Sequence, residues 1–288
     1  MSEVWVAGEA LIDSFTKGNR QFEIVGGGAA NTSKALAELS ISTSFIGGIS
    51  NDNYGQLIRS ELTSVDLSLS RTSVLPTAVA RLLIDDLGSA TYEFDLENSA
   101  SFDFRRDWLP NGTPQMLHVG SLATVIEPGA SELFSWAKNI GCPITYDPNF
   151  RPNVLSDRDK YQDLFRRWAG VSTIVKMSHE DLNWLGSFEP SDILDMGPSL
   201  VVVTEGAAGI WGHTILGSVK VPAERVDVVD TVGAGDTVGA VIIEGFIKYG
   251  LEELKGNMLI EVLRRAAQAA GITCSRAGAK PPALEELA

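Results

Sequence analysis

Asp236 closes a run of small residues, Asp230-Thr-Val-Gly-Ala-Gly-Asp-Thr-Val-Gly239, and that arrangement has two chemical readings. Upstream, Val226, Val228 and Val229 have the apolar pattern of a strand end. Downstream, Val238, Val241, Ile242, Phe246 and Tyr249 recur at helical spacing until Gly250 stops them. The run therefore opens a helix. A helix start leaves backbone N–H groups unpaired at the positive end of the macrodipole, and the small residues Gly233, Ala234 and Gly235 let an anion approach them closely. In the first reading the guest is a phosphate, and Asp236 is the base that takes a proton from an attacking hydroxyl. In the second, Asp236 or Thr237 only caps a helix after a tight turn. The segment alone supports both equally.

Two upstream elements carry a different chemistry. Gly8-Glu-Ala-Leu-Ile-Asp13 follows the first strand, which places Asp13 just past a strand's carboxyl end, where a carboxylate can accept hydrogen bonds from neighbouring hydroxyls of a polyol. Gly26-Gly27-Gly28-Ala-Ala-Asn31 leads into a helix carrying Ala35, Leu36 and Leu39; its glycines bring bare backbone to a ligand, and Asn31 offers both a donor and an acceptor. Each element by itself reads as a turn with a helix cap. Side by side on one sheet edge they favour a neutral polyhydroxy ligand.

The elements that must position these groups follow an α/β rhythm. Apolar strands at Val4–Ala7, Ser44–Ile46, Leu117–Val119, Ile144–Tyr146, Thr173–Lys176 and Leu200–Thr204 alternate with helical stretches at Ala30–Leu39, Tyr54–Leu62, Ala130–Ala137 and Tyr161–Trp168. That alternation predicts a mainly parallel sheet wrapped by helices. Residues 13–25 and 74–97 break it with strand-like patterning and turns at Lys17-Gly18-Asn19 and Asp86-Leu87-Gly88, as expected of hairpins in a small separate sheet. A small sheet near the carboxyl edge of an α/β core predicts a lid, because open α/β sheets bind ligands there. The whole of 1–288 is expected to form one large domain with this insertion.

Composition excludes several classes. With 44% hydrophobic residues and a net charge of −14, the 288-residue chain can bury a large core but repels nucleic acid and anionic lipid. It has no apolar run near the roughly 20 residues that span a bilayer and no signal-peptide pattern at its start, so the expected compartment is the cytoplasm. Cys142 and Cys274 are too few for a disulfide framework and read as small core residues. His118, His179 and His213 lack metal spacing, and the six tryptophans are scattered as packing residues are. A dinucleotide-binding turn is disfavoured, because Gly239 falls one position late for Gly-x-Gly-x-x-Gly after Gly233 and Gly235.

Taken together the motifs resemble the ribokinase-like (PfkB) sugar kinases. Gly26-Gly-x-x-x-Asn31 and Asp230-Thr-x-Gly-Ala-Gly-Asp236 are similar to the two signatures of that family, and Gly48-Ile-Ser-Asn-Asp52-Asn-Tyr-Gly55 is similar to its Gly-x-x-Gly-x-Asp-x-x-Gly segment. Asp147-Pro-Asn-Phe-Arg-Pro152, Lys176-Met-Ser-His-Glu-Asp181 and Val203-Thr-Glu-Gly206 follow in the family's order. The resemblance implies a ribokinase-like three-layer α/β/α core with a β-sheet lid and ATP-dependent transfer to a sugar hydroxyl. It makes Asp236 the base and Gly233, Ala234 and Gly235 the anion hole. By the same analogy Asp13, Gly27, Gly28, Asn31 and Phe94 hold the sugar, while Lys176, Ser178, Thr204, Gly206, Gly209 and Gly235 lie along the nucleotide and the helix from Glu261 to Gly271 walls the adenine. Mg2+ would be held mainly through water and phosphate oxygens, with Glu180 or Asp181 organising it, and K+ could lie beside the loops at Asp230 and Ser275–Gly278. Ser178-His-Glu-Asp181 departs from the usual Asn-x-x-Glu, and Val238 replaces a common aromatic residue.

The segment 90–100 is most similar to that of bacterial fructokinases. Its Glu93, Asp95 and Glu97 supply only acid, whereas a 2-keto-3-deoxygluconate or phosphosugar kinase needs Arg or Lys there. Fructose is therefore the first expectation, with a kinase for another substrate such as 2-keto-3-deoxygluconate, ribose or a nucleoside as the alternative and a non-catalytic sugar or nucleotide sensor behind those. The expected partners are a small sugar and ATP, with a homodimer through the lid; neither nucleic acid nor membrane is expected.

Overall fold

The structure is a computed structural model that describes residues 4–17, 20–84, 90–186 and 188–287. Its strands in chain order are β1 (Val4–Ala7), β2 (Leu11–Lys17), β3 (Arg20–Gly26), β4 (Thr43–Ile46), β5 (Gly48–Ser50), β6 (Arg71–Ser73), β7 (Val79–Ile84), β8 (Ala90–Asp95), β9 (Met116–Gly120), β10 (Ile144–Asp147), β11 (Ile174–Ser178), β12 (Leu200–Thr204), β13 (Ile210–Thr214) and β14 (Gly217–Val221). The helices are α1 (Gly28–Glu38), α2 (Asn53–Glu61), α3 (Gly129–Ala137), α4 (Arg158–Ala169), α5 (His179–Leu185), α6 (Pro190–Met196), α7 (Ala234–Tyr249) and α8 (Gly256–Cys274).

Eight strands form the main sheet in the order β14-β13-β12-β11-β10-β9-β1-β4, parallel from β12 through β4 and antiparallel at the β13–β14 edge. The parallel strands are apolar at nearly every position because both faces are covered, and alternate residues go to opposite layers. Val4, Val6, Leu200 and Val202 pack with α1, α7 and α8, while Trp5, Ala7, Val201 and Val203 pack with α3, α4, α5 and α6. This is the expected three-layer core, and six parallel strands point their carboxyl ends to one edge.

The predicted small sheet is present, in the order β3-β2-β7-β8. Two antiparallel hairpins, β2–β3 and β7–β8, are joined by the parallel pair β2–β7. The turns expected around Gly18-Asn19 and Asp86-Leu87-Gly88 lie outside the described residues. Two expectations need correction. Val226, Val228 and Val229 do not end a strand: 222–228 have no regular structure, and Val228 and Val229 are 64% and 63% exposed. The chain leaves the sheet at its β14 edge and crosses α8, where the amides of Val229 and Asp230 donate to the carbonyl of Cys274 (2.8 and 3.2 Å), so the apolar residues find a helix end instead of a partner strand. Cys142 and Cys274 are free thiols, each only partly buried; Cys142 packs against the edge of the core, and Cys274 lies at the end of α8. The tryptophans do pack as expected, with Trp168 fully buried and Trp5 stacked on Trp136.

Helices α7 and α8 lie against each other at Gly245, where an added Cβ would come within 2.8 Å of Cγ1 of Val262. Close approach there seats α7, and with it Asp236, against the sheet. Gly245→Leu is expected to destabilise the protein by about 1–3 kcal/mol through overpacking, read as a lower urea midpoint at unchanged slope.

Candidate active site

The loops that leave β1, β9 and β10 meet the start of α1. Gly27 precedes α1 with φ 104°, and an added Cβ would lie 2.6 Å from the carbonyl oxygen of Glu9, so the turn requires glycine. The Gly28 amide donates to Oε1 of Glu9 at 2.9 Å, and the Ala123 amide donates to its Oε2 at 3.2 Å. Burial pushes the Glu9 carboxyl up to about 7 against the lowering effect of these donors. Around the same point, an added Cβ on Gly28 would lie 3.3 Å from Cβ of Ser121 and 3.5 Å from Nδ2 of Asn149. Glu9 thus ties three loops together beneath the glycine turn.

Asp13 does not stand at the end of a main-sheet strand. It lies within β2 of the small sheet, because the chain after β1 turns directly into the hairpin. Its cross-strand partners are Ile24 on β3 and Ala80 on β7, and Ala80 in turn pairs with Phe94 on β8. Asp13, Ala80 and Phe94 therefore share one row and one face of the small sheet. The next row, Ser14, Arg81 and Glu93, belongs to the other face. Oδ2 of Asp13 sits where a Cβ on Gly26 would be, 2.0 Å from it, so the glycine run makes room for this carboxylate. Withdrawal from water raises the Asp13 carboxyl to about 6, moderated by the nearby Arg151 cation.

Helix α7 opens as the sequence predicts. Gly233 precedes it in the left-handed region (φ 78°), and an added Cβ would lie 2.6 Å from Cβ of Ala279. Ala234 N donates to the Thr231 carbonyl at 3.3 Å, while the amides of Gly235 and Asp236 have no acceptor within the helix. Asp236 is the third helical residue and its Oδ2 accepts from Nδ2 of Asn31 at 2.8 Å, joining the two glycine-led helices. Thr237 closes the turn by donating its hydroxyl to the Gly233 carbonyl at 2.9 Å.

Beneath this turn, Nζ of Lys176 on β11 donates to Oδ2 of Asp147 on β10 at 2.7 Å, with both side chains buried. The same ammonium lies 2.9 Å from the position of a Cβ on Gly235, directly under the anion cradle. Desolvation raises the Asp236 carboxyl to about 6; Lys176 is the main opposing influence, Asp147 adds to the rise, and the Asn31 bond and Arg151 lower it. Burial alone would lower the Lys176 ammonium, but Asp147 and Asp236 outweigh it and hold it above its ordinary range. A carboxylate kept ionisable near neutrality, a fixed cation and a bare helix start can together abstract a proton and hold a developing phosphoryl charge.

The sequence pattern of the pfkB family carbohydrate kinases matches residues 5–286. The chain belongs to that family. Among its relatives is a fructokinase of Rhizobium leguminosarum bv. trifolii, 37% identical over 252 residues that cover 82% of this chain and 77% of the relative. A fructokinase of Xylella fastidiosa with bound ATP superposes with a TM-score of 0.91 at 22% identity over 100% of this chain and 97% of its own. A double mutant of a Vibrio cholerae O395 fructokinase, holding fructose, ADP and potassium ion, gives 0.86 at 28% identity over 99% and 95%. As a pfkB carbohydrate kinase the protein is a phosphotransferase with an alcohol group as acceptor, built on the ribokinase-like fold. Among the described residues no helix is long and apolar enough to cross a membrane.

For a family member, the two carboxylates expected to organise a metal have different settings. Glu180 is exposed on the first turn of α5. Asp181 is buried and engaged: Oδ1 accepts from Phe150 N (2.8 Å), and Oδ2 accepts from Ser178 N and Oγ (3.0 and 2.7 Å). Ser178 is accordingly the cap of α5, accepting from Asp181 N at 3.0 Å. Thr204 ends β12, and Gly206 and Gly209 lie in the turn that follows, with open space around Gly206. Residues for which sequence reasoning gave no role are Glu9, Asp147 and Arg151. The signal for them was position, since each lies at or just beyond the carboxyl end of a parallel strand, where this fold places ligands.

Removing the buried cation tests the charge balance. Lys176→Met leaves Asp147 buried and unpaired, and is expected to cost about 3–5 kcal/mol of stability. Lys176→Met combined with Asp147→Leu is expected to recover most of that loss in urea unfolding.

Proposed function

We propose that this carbohydrate kinase transfers the γ-phosphoryl group of ATP to a primary hydroxyl of a neutral sugar, fructose first. The observation that carries this reading is the 2.8 Å bond from Asn31 to Asp236, which puts the polyol-binding turn and the phosphate-binding helix start in direct contact. Asp13, the Gly27–Gly28 backbone and Asn31 orient the sugar, with Phe94 on the same sheet row as Asp13. Asp236 takes the proton of the attacking hydroxyl, which needs no covalent enzyme intermediate. The amides at the start of α7, backed by Lys176, hold the negative charge of the transferring group.

A magnesium ion supplies charge screening of the polyphosphate when bound. The donor set fits a water-mediated role: Oδ1 of Asp147 is buried without a hydrogen-bond partner, Glu180 is exposed, and no three metal-ligating side chains converge among the described residues. For potassium, the loop at Asp230 is held to the 275–278 turn by Gly278 N donating to Oδ2 of Asp230 at 2.9 Å. The potassium-bound Vibrio relative supports that cation here.

The case for a neutral sugar rests on charge. Arg81 pairs with Asp95 on the opposite face of the small sheet from Asp13 and Phe94, and Arg105 pairs with Asp103 at 2.8 Å. Glu93, Asp95 and Glu97 are exposed. The fructokinase relatives support fructose within this class.

Coupled ADP release over a sugar panel is the test. Fructose is expected to give the highest kcat/KM, ahead of ribose and nucleosides, with 2-keto-3-deoxygluconate poor; silence with every sugar despite ATP binding would establish a sensor instead. Asp236→Asn is expected to lower kcat roughly 10²–10⁴-fold with little change in ATP affinity, and near-normal turnover would remove Asp236 from the mechanism. Because the Asp236 and Asp13 carboxyls both lie at about 6 and must be ionised, kcat/KM should fall as pH drops through that value. The fall should be steeper than one proton, and one-proton in Asp13→Asn.

A further inference from the structure

The second hairpin of the small sheet, β7–β8, is joined to the rest of the molecule by an entering arm at 74–78 and a departing arm at 96–103. Asp52, the residue before α2, grips the entering arm. Its Oδ1 accepts from Gly55 N at 2.7 Å, capping α2, and also from Oγ1 of Thr77 at 2.7 Å. Its Oδ2 accepts from the Thr77 amide at 2.9 Å, and its own amide donates to Oγ of Ser50 at 3.1 Å. Burial works against the charge on Asp52, but the Thr77 and Gly55 amides and the Thr77 and Ser50 hydroxyls outweigh it and hold the carboxyl below its ordinary range. Thr77 itself is buried.

The departing arm is fixed at the same place. The Ala100 amide donates to the Pro76 carbonyl at 2.8 Å, Oγ of Ser101 donates to the Ala10 carbonyl at 2.6 Å, and a Cβ on Gly48 would lie 1.9 Å from the Ala100 carbonyl oxygen. One residue beyond Thr77, the Ala78 carbonyl accepts from the Ile12 amide at 3.0 Å, and Ala80 then pairs with Asp13. A helix cap needs only one of the Asp52 contacts; the two bonds to Thr77 serve no purpose in capping α2.

We propose that the Asp52–Thr77 contact is the anchor that sets the position of the small sheet over the sugar, making both residues positioning residues for sugar capture and leaving the nucleotide side untouched. This rests on the sugar-kinase reading in which that sheet closes over the acceptor. The row Asp13, Ala80, Phe94 begins three residues from Thr77, so a shift of the arm displaces the sugar-facing carboxylate directly. The motif around Asp52 thereby links the rigid core to the sheet that selects the acceptor.

Thr77→Val removes the hydroxyl bond while leaving the Asp52 cap on α2 and the Thr77 amide bond in place. It is expected to raise the KM for the sugar about tenfold, the worth of one hydrogen bond to a charged acceptor, with the KM for ATP unchanged and Thr77→Ser restoring the wild-type value. Hydrogen exchange should quicken across 79–84 and remain unchanged across α2. Asp52→Ala is expected to do more in both measurements and to free α2 as well. A Thr77→Val enzyme with a wild-type sugar KM, or with a lower urea midpoint as its sole change, overturns the anchor. Unchanged exchange across 79–84 overturns it whether or not any sugar is phosphorylated. A wild-type protein inactive on every sugar but showing the exchange effect would overturn the acceptor reading and keep the anchor.

Discussion

The site is built around one cation shared among carboxylates that are largely out of water. Asp147, Asp181 and Asp236 all act electrostatically on Lys176, and burial raises the pKa of both Asp236 and Asp181. Desolvation pushes a carboxylate in this position toward holding its proton. Lys176 limits the rise on Asp236 to about 6, at which the group is ionised near neutrality yet more basic than a solvated aspartate. The pair with Asp147 fixes the ammonium under Gly235, so the charge that acts on Asp236 also faces the start of α7. The geometry at the start of α7 and the titration of Asp236 therefore depend on the same buried contact.

The fold supplies this contact at little cost because Asp147 and Lys176 lie on neighbouring parallel strands. Asn31 and Asp236 are 205 positions apart, yet α1 and α7 pack side by side on one face of the sheet. Both helices are introduced by a glycine with positive φ, and their first turns meet at the Asn31–Asp236 bond. Glu9 completes the frame from below, since its two oxygens hold the start of α1 and the turn after β9 in fixed relation.

What could be read from the sequence was what is encoded locally. The glycine run, the span of α7, the alternation of strands and helices and the two hairpins are short-range patterns, and the family motifs gave them an order. The pairings that make the site work are long-range and were not visible as such: Asp147 with Lys176, Asn31 with Asp236, Glu9 with Gly28 and Ala123. Asp181 shows the limit of type and spacing, because a capping box and a metal carboxylate look alike until the partners of both oxygens are known. The valines at 226–229 fail for a related reason: period-two patterning describes a strand only if a neighbouring strand exists, and here the sheet has already ended at β14.

The same charge balance constrains the acceptor. Asp13 from the small sheet and Asp147, Asp181 and Asp236 from the core are set against Lys176 and Arg151, and Arg151 already spends one guanidinium nitrogen on the carbonyls of Asn149 and Phe150 at 3.3 and 3.0 Å. A polyphosphate donor adds more negative charge, which arrives with its own metal counter-ions. An acceptor bearing a further carboxylate or phosphate would need another cation, and the arginines that could have supplied it from the small sheet and its departing arm are paired with Asp95 and Asp103. Hydroxyl groups make no such demand: they can donate to Asp13 and Asp236 and reduce the cost of those buried charges. In the proposed function a neutral polyol would relieve the crowding of negative charge at this site, whereas an anionic acceptor would add to it.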